Sequence, residues 1–453
     1  MADIIDLGSA IEPEKLKLIT EGQCAQVFAE KYRGELLFNE DEARWYRWTG
    51  TLWRKQRKGL AADLAHRLAR DMARRASNRE KVERASWAGA MTRLVGDRED
   101  FARLADAFDS NPMIVGSPEL TLNLADGDLR PPDQADMITK SLAVAPHIFD
   151  DCPLWRRFLG DATGNDEALI QFLQRWCGYC LSGLTSEHAL VFIYGDGGNG
   201  KTVFANTIAA ILGDYAATAS MDTFAASKHE RHPTEVAMLR GARLVTASET
   251  EEGRAWNEAR IKQLTGGEPV SARFMRQDFF EFRPTFKLMI IGNHQPVLHN
   301  VDDAMRRRVC MVPFTRKPAN PDPNLEAKLR EEWPAILRWM INGCLDWRSH
   351  GLPRPEAVLA ANEEYFENQD LLGQWIDEAC ETDIGNAFRY AMAGELHASY
   401  TAWCKAHGEP APSIKGFSSA MTRRGFRRLR VKAGTRLEGV SLKSVTSDPR
   451  FSE

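Results

Sequence analysis

Eight consecutive residues, Gly195-Asp196-Gly197-Gly198-Asn199-Gly200-Lys201-Thr202, fit the pattern G-x-x-x-x-G-K-[ST] without a mismatch. No other stretch restricts the fold as much, because the pattern has meaning in one setting: after a buried strand and at the start of a helix. The flanks supply that setting. Ala189 to Tyr194 is an unbroken apolar run of strand length, and Val203 to Leu212 reads as a helix. Glycines let successive backbone N–H groups turn inward around a phosphate, and the helix N-terminus adds a positive dipole end. Lys201 can then reach the terminal phosphates as a point charge, and Thr202 offers a hydroxyl to Mg²⁺. The expected ligand of Gly195 to Thr202 is therefore ATP with Mg²⁺.

Buried strands recur at Leu244 to Ala247 and Leu288 to Ile291, with helical or irregular segments between them. That alternation predicts an α/β fold with a parallel sheet. The first of these strands ends in Glu249, which can hold Mg²⁺ through water or polarise the attacking water. Glu251 and Glu252 are weaker candidates, since they can equally cap the next element. The second strand ends in Asn293, placed to orient that water or touch the γ-phosphate. Asp302-Asp303-Ala304-Met305-Arg306-Arg307-Arg308 then leads into apolar Val309 to Phe314. By default this is a solvated charge run. In a ring ATPase, an arginine here stabilises transition-state charge in a neighbour's site, an effect on the order of 10³–10⁵ in other NTPases. The sequence leaves Arg307 and Arg308 as equal candidates.

In this order the motifs resemble the motor of superfamily 3 helicases, in the phage- and plasmid-encoded primase–helicase branch that includes poxvirus relatives. The resemblance runs through the glycine loop, Leu244 to Glu249, and Ile261-Lys262-Gln263-Leu264-Thr265-Gly266-Gly267-Glu268 with Ala272-Arg273. It continues through Asn293 with Pro296, Arg307-Arg308, and Trp333-Pro334-Ala335-Ile336-Leu337-Arg338-Trp339 to Gly343, about Pro153 to Gly351 in all. It implies an AAA+-like P-loop ATPase core that assembles as a hexameric homo-oligomer, moves 3′ to 5′ on single-stranded DNA and opens forked DNA. It also implies that Gly266 to Phe282 forms a hairpin entering the ring's pore. The residues there suit such a hairpin, since Lys262, Arg273, Arg276 and Lys287 are candidate phosphate contacts beside Phe274, Phe279 and Phe280. The aromatics are read as hairpin packing ahead of base stacking.

Four regions are expected. Residues 1–110 form an accessory α+β region: Glu35 to Phe38 and Trp45 to Trp48 make a hairpin, Leu52-Trp53 follows, and Leu60, Leu64, Leu68 and Met72 stripe a helix. Residues 111–184 are a connector and helical collar, 185–350 the ATPase domain, and 351–453 a C-terminal module. Pro318, Pro321 and Pro323 are read as closing the ATPase unit, and Gly351 to Pro355 as the next boundary. In the last module, a helix from Glu395 to His407, a Pro-rich turn, a helix from Lys415 to Arg424, and strands Arg427 to Val431 and Leu437 to Leu442 suggest a winged helix. Nine Lys or Arg against one acid between Ser413 and Lys443 make Lys415, Arg423, Arg424, Arg427, Arg430 and Lys432 candidate DNA contacts, hidden beneath a net charge of −4.

Other functions are disfavoured by spacing. Cys177 and Cys180 form a lone C-x-x-C in an apolar helix and read as buried thiols. His229-Glu230-Arg231-His232 lacks the helical i,i+4 histidine pair of a zinc protease. The start, Met1 to Asp6, is acidic and has no apolar core of a signal peptide, and no apolar run is long enough to span a bilayer, so a cytoplasmic protein is expected. The first 150 residues show no acidic triad for primer synthesis, which points to a separate primase or initiator partner. Two rivals stand beside the helicase reading: an origin-binding initiator or DNA clamp, and a small-molecule kinase.

Overall fold

The computed structural model describes residues 17–56, 59–226, 233–249, 255–276, 278–298, 302–407 and 411–443. Glu251, Glu252, the His229 to His232 segment and the first residues of the chain lie outside them.

The N-terminal region packs helices α1 (Glu21–Tyr32), α2 (Leu60–Ala73), α3 (Arg79–Val82) and α4 (Ala85–Gly96) beside a four-stranded sheet of order β3-β2-β1-β4. Strands β1 (Leu36–Asn39) and β2 (Arg44–Trp48) form the expected hairpin, and β3 (Trp53–Lys55) extends it. Strand β4 (Ala102–Arg103) joins in parallel and has no counterpart in the sequence reading, because two residues carry no alternation to recognise. A small antiparallel sheet follows, made of β5 (Ile114–Gly116), β6 (Thr121–Asn123) and β7 (Leu129–Arg130).

At the centre lies a five-stranded, wholly parallel sheet. Its strands are β8 (Leu190–Tyr194), β9 (Ala216–Thr218), β10 (Leu244–Glu249), β13 (Lys287–Gly292) and β14 (Val309–Pro313), in the order β14-β8-β13-β10-β9. The middle strands are buried almost throughout, which accounts for their continuous apolar sequences. Helix α7 (Lys201–Leu212) follows β8, and α5 (Pro153–Thr163), α6 (Glu167–Leu181), α11 (Leu325–Glu331) and α12 (Trp333–His350) cover one face. Helices α6 and α12 cross at paired glycines. A Cβ on Gly178 would lie 2.1 Å from the Cys344 nitrogen, and one on Gly343 would lie 2.1 Å from the Gln174 carbonyl oxygen. The resulting core takes residues from Val115 to Val358, so the helices before residue 184 and the sheet after it share one interior. A second core on the sheet's other face includes α8 (Thr234–Ala237) and α9 (Glu258–Thr265).

After the one-turn helix α10 (Asp303–Arg306) and strand β14, the chain reaches α13 (Glu356–Gln369), which lies along β14. The C-terminal region comprises α14 (Leu371–Ala379), β15 (Cys380–Thr382), β16 (Tyr390–Met392), α15 (Ala393–Ala406), α16 (Ile414–Arg423) and strands β17 (Arg427–Val431), β18 (Gly434–Glu438) and β19 (Val440–Leu442). The last predicted strand, Leu437 to Leu442, is divided at Gly439, whose φ of 86° sends β18 to pair with β16 and β19 to pair with β15. All eight cysteines are buried, Cys177 and Cys180 inside α6 as expected. No helix among the described residues is long and apolar enough to cross a membrane.

Candidate functional site at the carboxyl edge of the sheet

The glycine loop joins β8 to α7, so its backbone turns at the carboxyl edge of the sheet, where open α/β folds place their ligands. Two glycines are required there by space as well as by conformation. Gly195 has φ 146° and a Cβ on it would sit 2.0 Å from the Phe314 carbonyl oxygen; Gly200 has φ 87° and a Cβ would meet the Phe158 ring at 2.6 Å. Asn199 is buried and donates through Nδ2 to the Phe314 carbonyl, which ties the loop to the end of β14. Lys201 donates from Nζ to the carbonyls of Gly195 at 2.6 Å and Asp196 at 2.9 Å, and to Asn199 Oδ1 at 2.9 Å. Burial draws its ammonium below the usual lysine range, against the opposing charge of Asp196. All three acceptors are neutral, which leaves the ammonium's charge available to an anion.

A cavity of about 470 Å³ opens at this loop. Gly197 to Thr202 form one wall and Asn293, which follows β13, lies in the same cavity. Glu249 is buried at the end of β10, in register with Gly292, the residue before Asn293; it stands beside the cavity and not in its lining. The loop, Lys201, Thr202 and Asn293 are thus brought together, with Glu249 one strand further along. The chemistry offered is a set of loop amides and an ammonium for a polyphosphate, with a hydroxyl and a nearby carboxylate of the kind a hard cation takes.

Most of the remaining wall comes from residues that carry no motif in the sequence. Arg157, Phe158 and Asp161 on α5 face Arg316, Pro318 and Asn320 of the loop after β14. The proline run read as closing the unit is part of this wall, through Pro318 and Pro321. The signal in the sequence was weak: a proline-rich loop beside two arginines, on segments about 160 residues apart, with no motif to connect them.

Among the candidate cations, the structure overturns the reading of Lys287 and turns Arg308 inward. Lys287 is not a surface contact: it is 2% exposed, and its Nζ donates to the carbonyls of Ser182, of Leu184 at 3.3 Å and of Thr285 at 3.3 Å. With Arg243, which donates to the Leu181 and Ile114 carbonyls, it meets the C-terminal end of α6, where unpaired carbonyls favour a cation. Arg308 is also committed internally. It is buried, donating from Nε to Thr265 Oγ1 at 3.2 Å and from Nη1 to the Ala304 carbonyl at 3.0 Å. Arg307 beside it is exposed.

The expected hairpin is present as β11 (Val270–Ala272) paired with β12 (Phe280–Phe282). Phe274 and Phe280 stack on each other at 5.6 Å, as packing aromatics do, whereas Phe279 is 61% exposed beneath the Arg273 guanidinium. Arg276 is exposed at the tip, and Lys262 pairs with Asp302. In the C-terminal region, Arg424 pairs with Asp370 and Arg427 approaches Glu438 at 3.7 Å. Lys415, Arg423, Arg430 and Lys432 are exposed and in no ion pair among the described residues.

Fold and site together define a mixed α/β protein with a glycine-loop pocket at the carboxyl edge of a parallel sheet. Comparison with known proteins gives its relatives. Residues 25–164 match the family described as D5 N terminal like, and residues 193–308 match a family of unknown function. A protein named as a helicase in Acanthamoeba polyphaga mimivirus is 24% identical over 263 residues, 53% of this chain and 27% of its own length. Another helicase-named protein, from Frog virus 3, is 25% identical over 334 residues, 68% of this chain and 32% of its own. A primase-named protein of African swine fever virus is 27% identical over 164 residues, 34% of this chain and 17% of its own. The chain is similar to D5-like proteins named as helicases and primases, and it spans about a third or less of the length of these relatives. The solved C-terminal region of NrS-1 shares the fold, with a TM-score of 0.52 at 11% identity over 91% of this chain and 97% of that one.

Proposed function

We propose that this chain is the ATP-driven motor of a phage, prophage or plasmid replication helicase of superfamily 3, working as a hexameric ring on single-stranded and forked DNA and moving 3′ to 5′. The observation that carries the reading is the meeting of Lys201, Thr202 and Asn293 in one cavity at the ends of neighbouring parallel strands. In this reading the loop amides and Lys201 hold the ATP phosphates, and Thr202 holds Mg²⁺ with help from Glu249. Asn293 orients the attacking water, and Arg307 reaches the γ-phosphate bound by the adjacent protomer. The hairpin presents Arg273, Arg276 and Phe279 to a DNA strand, and the C-terminal helices and β17–β18 hairpin act as a winged helix that grips the backbone. The helicase and primase names of the viral relatives support this assignment.

The test is ATP turnover by the purified chain with and without single-stranded DNA, using Lys201→Ala as the inactive control. DNA-stimulated turnover that ends with Lys201→Ala is expected, followed by opening of a forked duplex. Stimulated turnover without strand separation would instead favour an initiator or clamp. A monomer that ignores DNA would sink both.

A further inference from the structure

Three consecutive arginines precede β14, and each has a different environment. Arg308 turns inward to Thr265, as described above. Arg306 lies over the Phe366 ring of α13, 4.9 Å from its centroid. Arg307 has an exposed side chain, yet its backbone is gripped from outside. Arg354 donates from Nη1 to the Arg306 carbonyl at 3.1 Å and from Nη2 to the Arg307 carbonyl. It belongs to the segment between α12 and α13 and lies beside the Cys310 thiol of β14.

These two carbonyls end the one-turn helix α10, where backbone oxygens lack partners within the helix. A planar guanidinium fork can satisfy two at once, and a positive charge is favoured at that helix end. Pro353 and Pro355 flank Arg354 and fix its own backbone. We propose that Arg354 is a positioning residue for Arg307: it holds the backbone from which that guanidinium reaches the neighbouring protomer. The segment leading to the C-terminal region thereby sets the competence of an ATP site on another subunit. This rests on the trans role given to Arg307 above.

Arg354→Ala in the full chain is expected to lower kcat roughly ten- to a hundredfold, the scale of a guanidinium displaced by about 1 Å. KM for ATP should stay within about twofold, since the subunit's own pocket is intact. Mixing Arg354→Ala with Glu249→Gln subunits should raise turnover above either alone. In an equal mixture about a quarter of head-to-tail interfaces join a sound pocket to a well-held Arg307. Arg354→Lys keeps the charge but not the fork and should fall between; if the alanine variant does not fold, the lysine variant carries the same measurements. A wild-type kcat in Arg354→Ala beside an inactive Arg307→Ala overturns this inference alone. An active Arg307→Ala overturns the trans reading with it. A lowered kcat that mixing does not raise places the loss within the subunit and also overturns the inference.

Discussion

Asn362 on α13 is hydrogen-bonded to Met311 on β14: its Oδ1 accepts from the Met311 N–H at 2.8 Å, while its Nδ2 donates to the Val309 carbonyl at 2.9 Å. Strand β14 is an edge of the parallel sheet, and this amide supplies what a further strand would. Asn362→Leu strands two buried backbone groups and should cost about 2–6 kcal/mol, at 1–3 for each. Urea unfolding measures it, and a midpoint equal to wild type would refute the role.

Arg307 and Arg308 should behave differently on replacement. Arg307→Ala is expected to keep the wild-type melting temperature and nucleotide affinity while losing turnover, by about 10³-fold or more if the arginine acts as in other NTPases. Arg308→Ala removes a buried link between α9 and α10 and should lower the melting temperature. The reverse pattern would return the trans role to Arg308.

Salt dependence of DNA binding should separate free cations from paired ones. Removing one cation that neutralises a phosphate lowers the slope of log K against log salt by about 0.7–0.9. Arg430→Ala with Lys432→Ala should therefore flatten the slope by about 1.4–1.8. Arg424→Ala, whose guanidinium is engaged by Asp370, should change it little. If the two variants were indistinguishable, the C-terminal face would not be the DNA contact.

Burial, the largest influence, pushes the Lys287 ammonium down to about 7, with Cys180 opposing and Arg243 reinforcing the shift. In the unfolded chain a lysine titrates near 10.4. Between the two values the unfolded state binds the extra proton, so the folded state gains stability as pH rises. Thiols raised by burial act the other way as pH passes about 8.5. Melting temperatures from about pH 7 to 8.5 should climb for wild type relative to Lys287→Met. A constant difference between the two proteins across that range would show that Lys287 does not titrate there.

Much of the site was legible because its residue types are dictated locally. Gly195 and Gly200 have positive φ in a loop fixed by its neighbours, and the strand before and helix after follow from apolar patterning. What could not be read is where a cation ends up. Lys287 and Arg273 look alike in sequence, yet one starts a central strand under α6 and the other stands on a hairpin. Arg157 and Arg316 share a cavity only because α5 and the loop after β14 converge in three dimensions. The prolines at Gly351 to Pro355 mark a boundary in the chain, yet α13, which follows them, covers the sheet edge, because a boundary in sequence does not prevent packing across it.

Arg243, just before β10, and Lys287, the first residue of β13, lie against the same end of α6, and the far tips of those strands bear Glu249 and lead to Asn293. The two tips are therefore moored to a common post. Loosening that end of α6 is expected to disturb Glu249 and Asn293 together and not one alone.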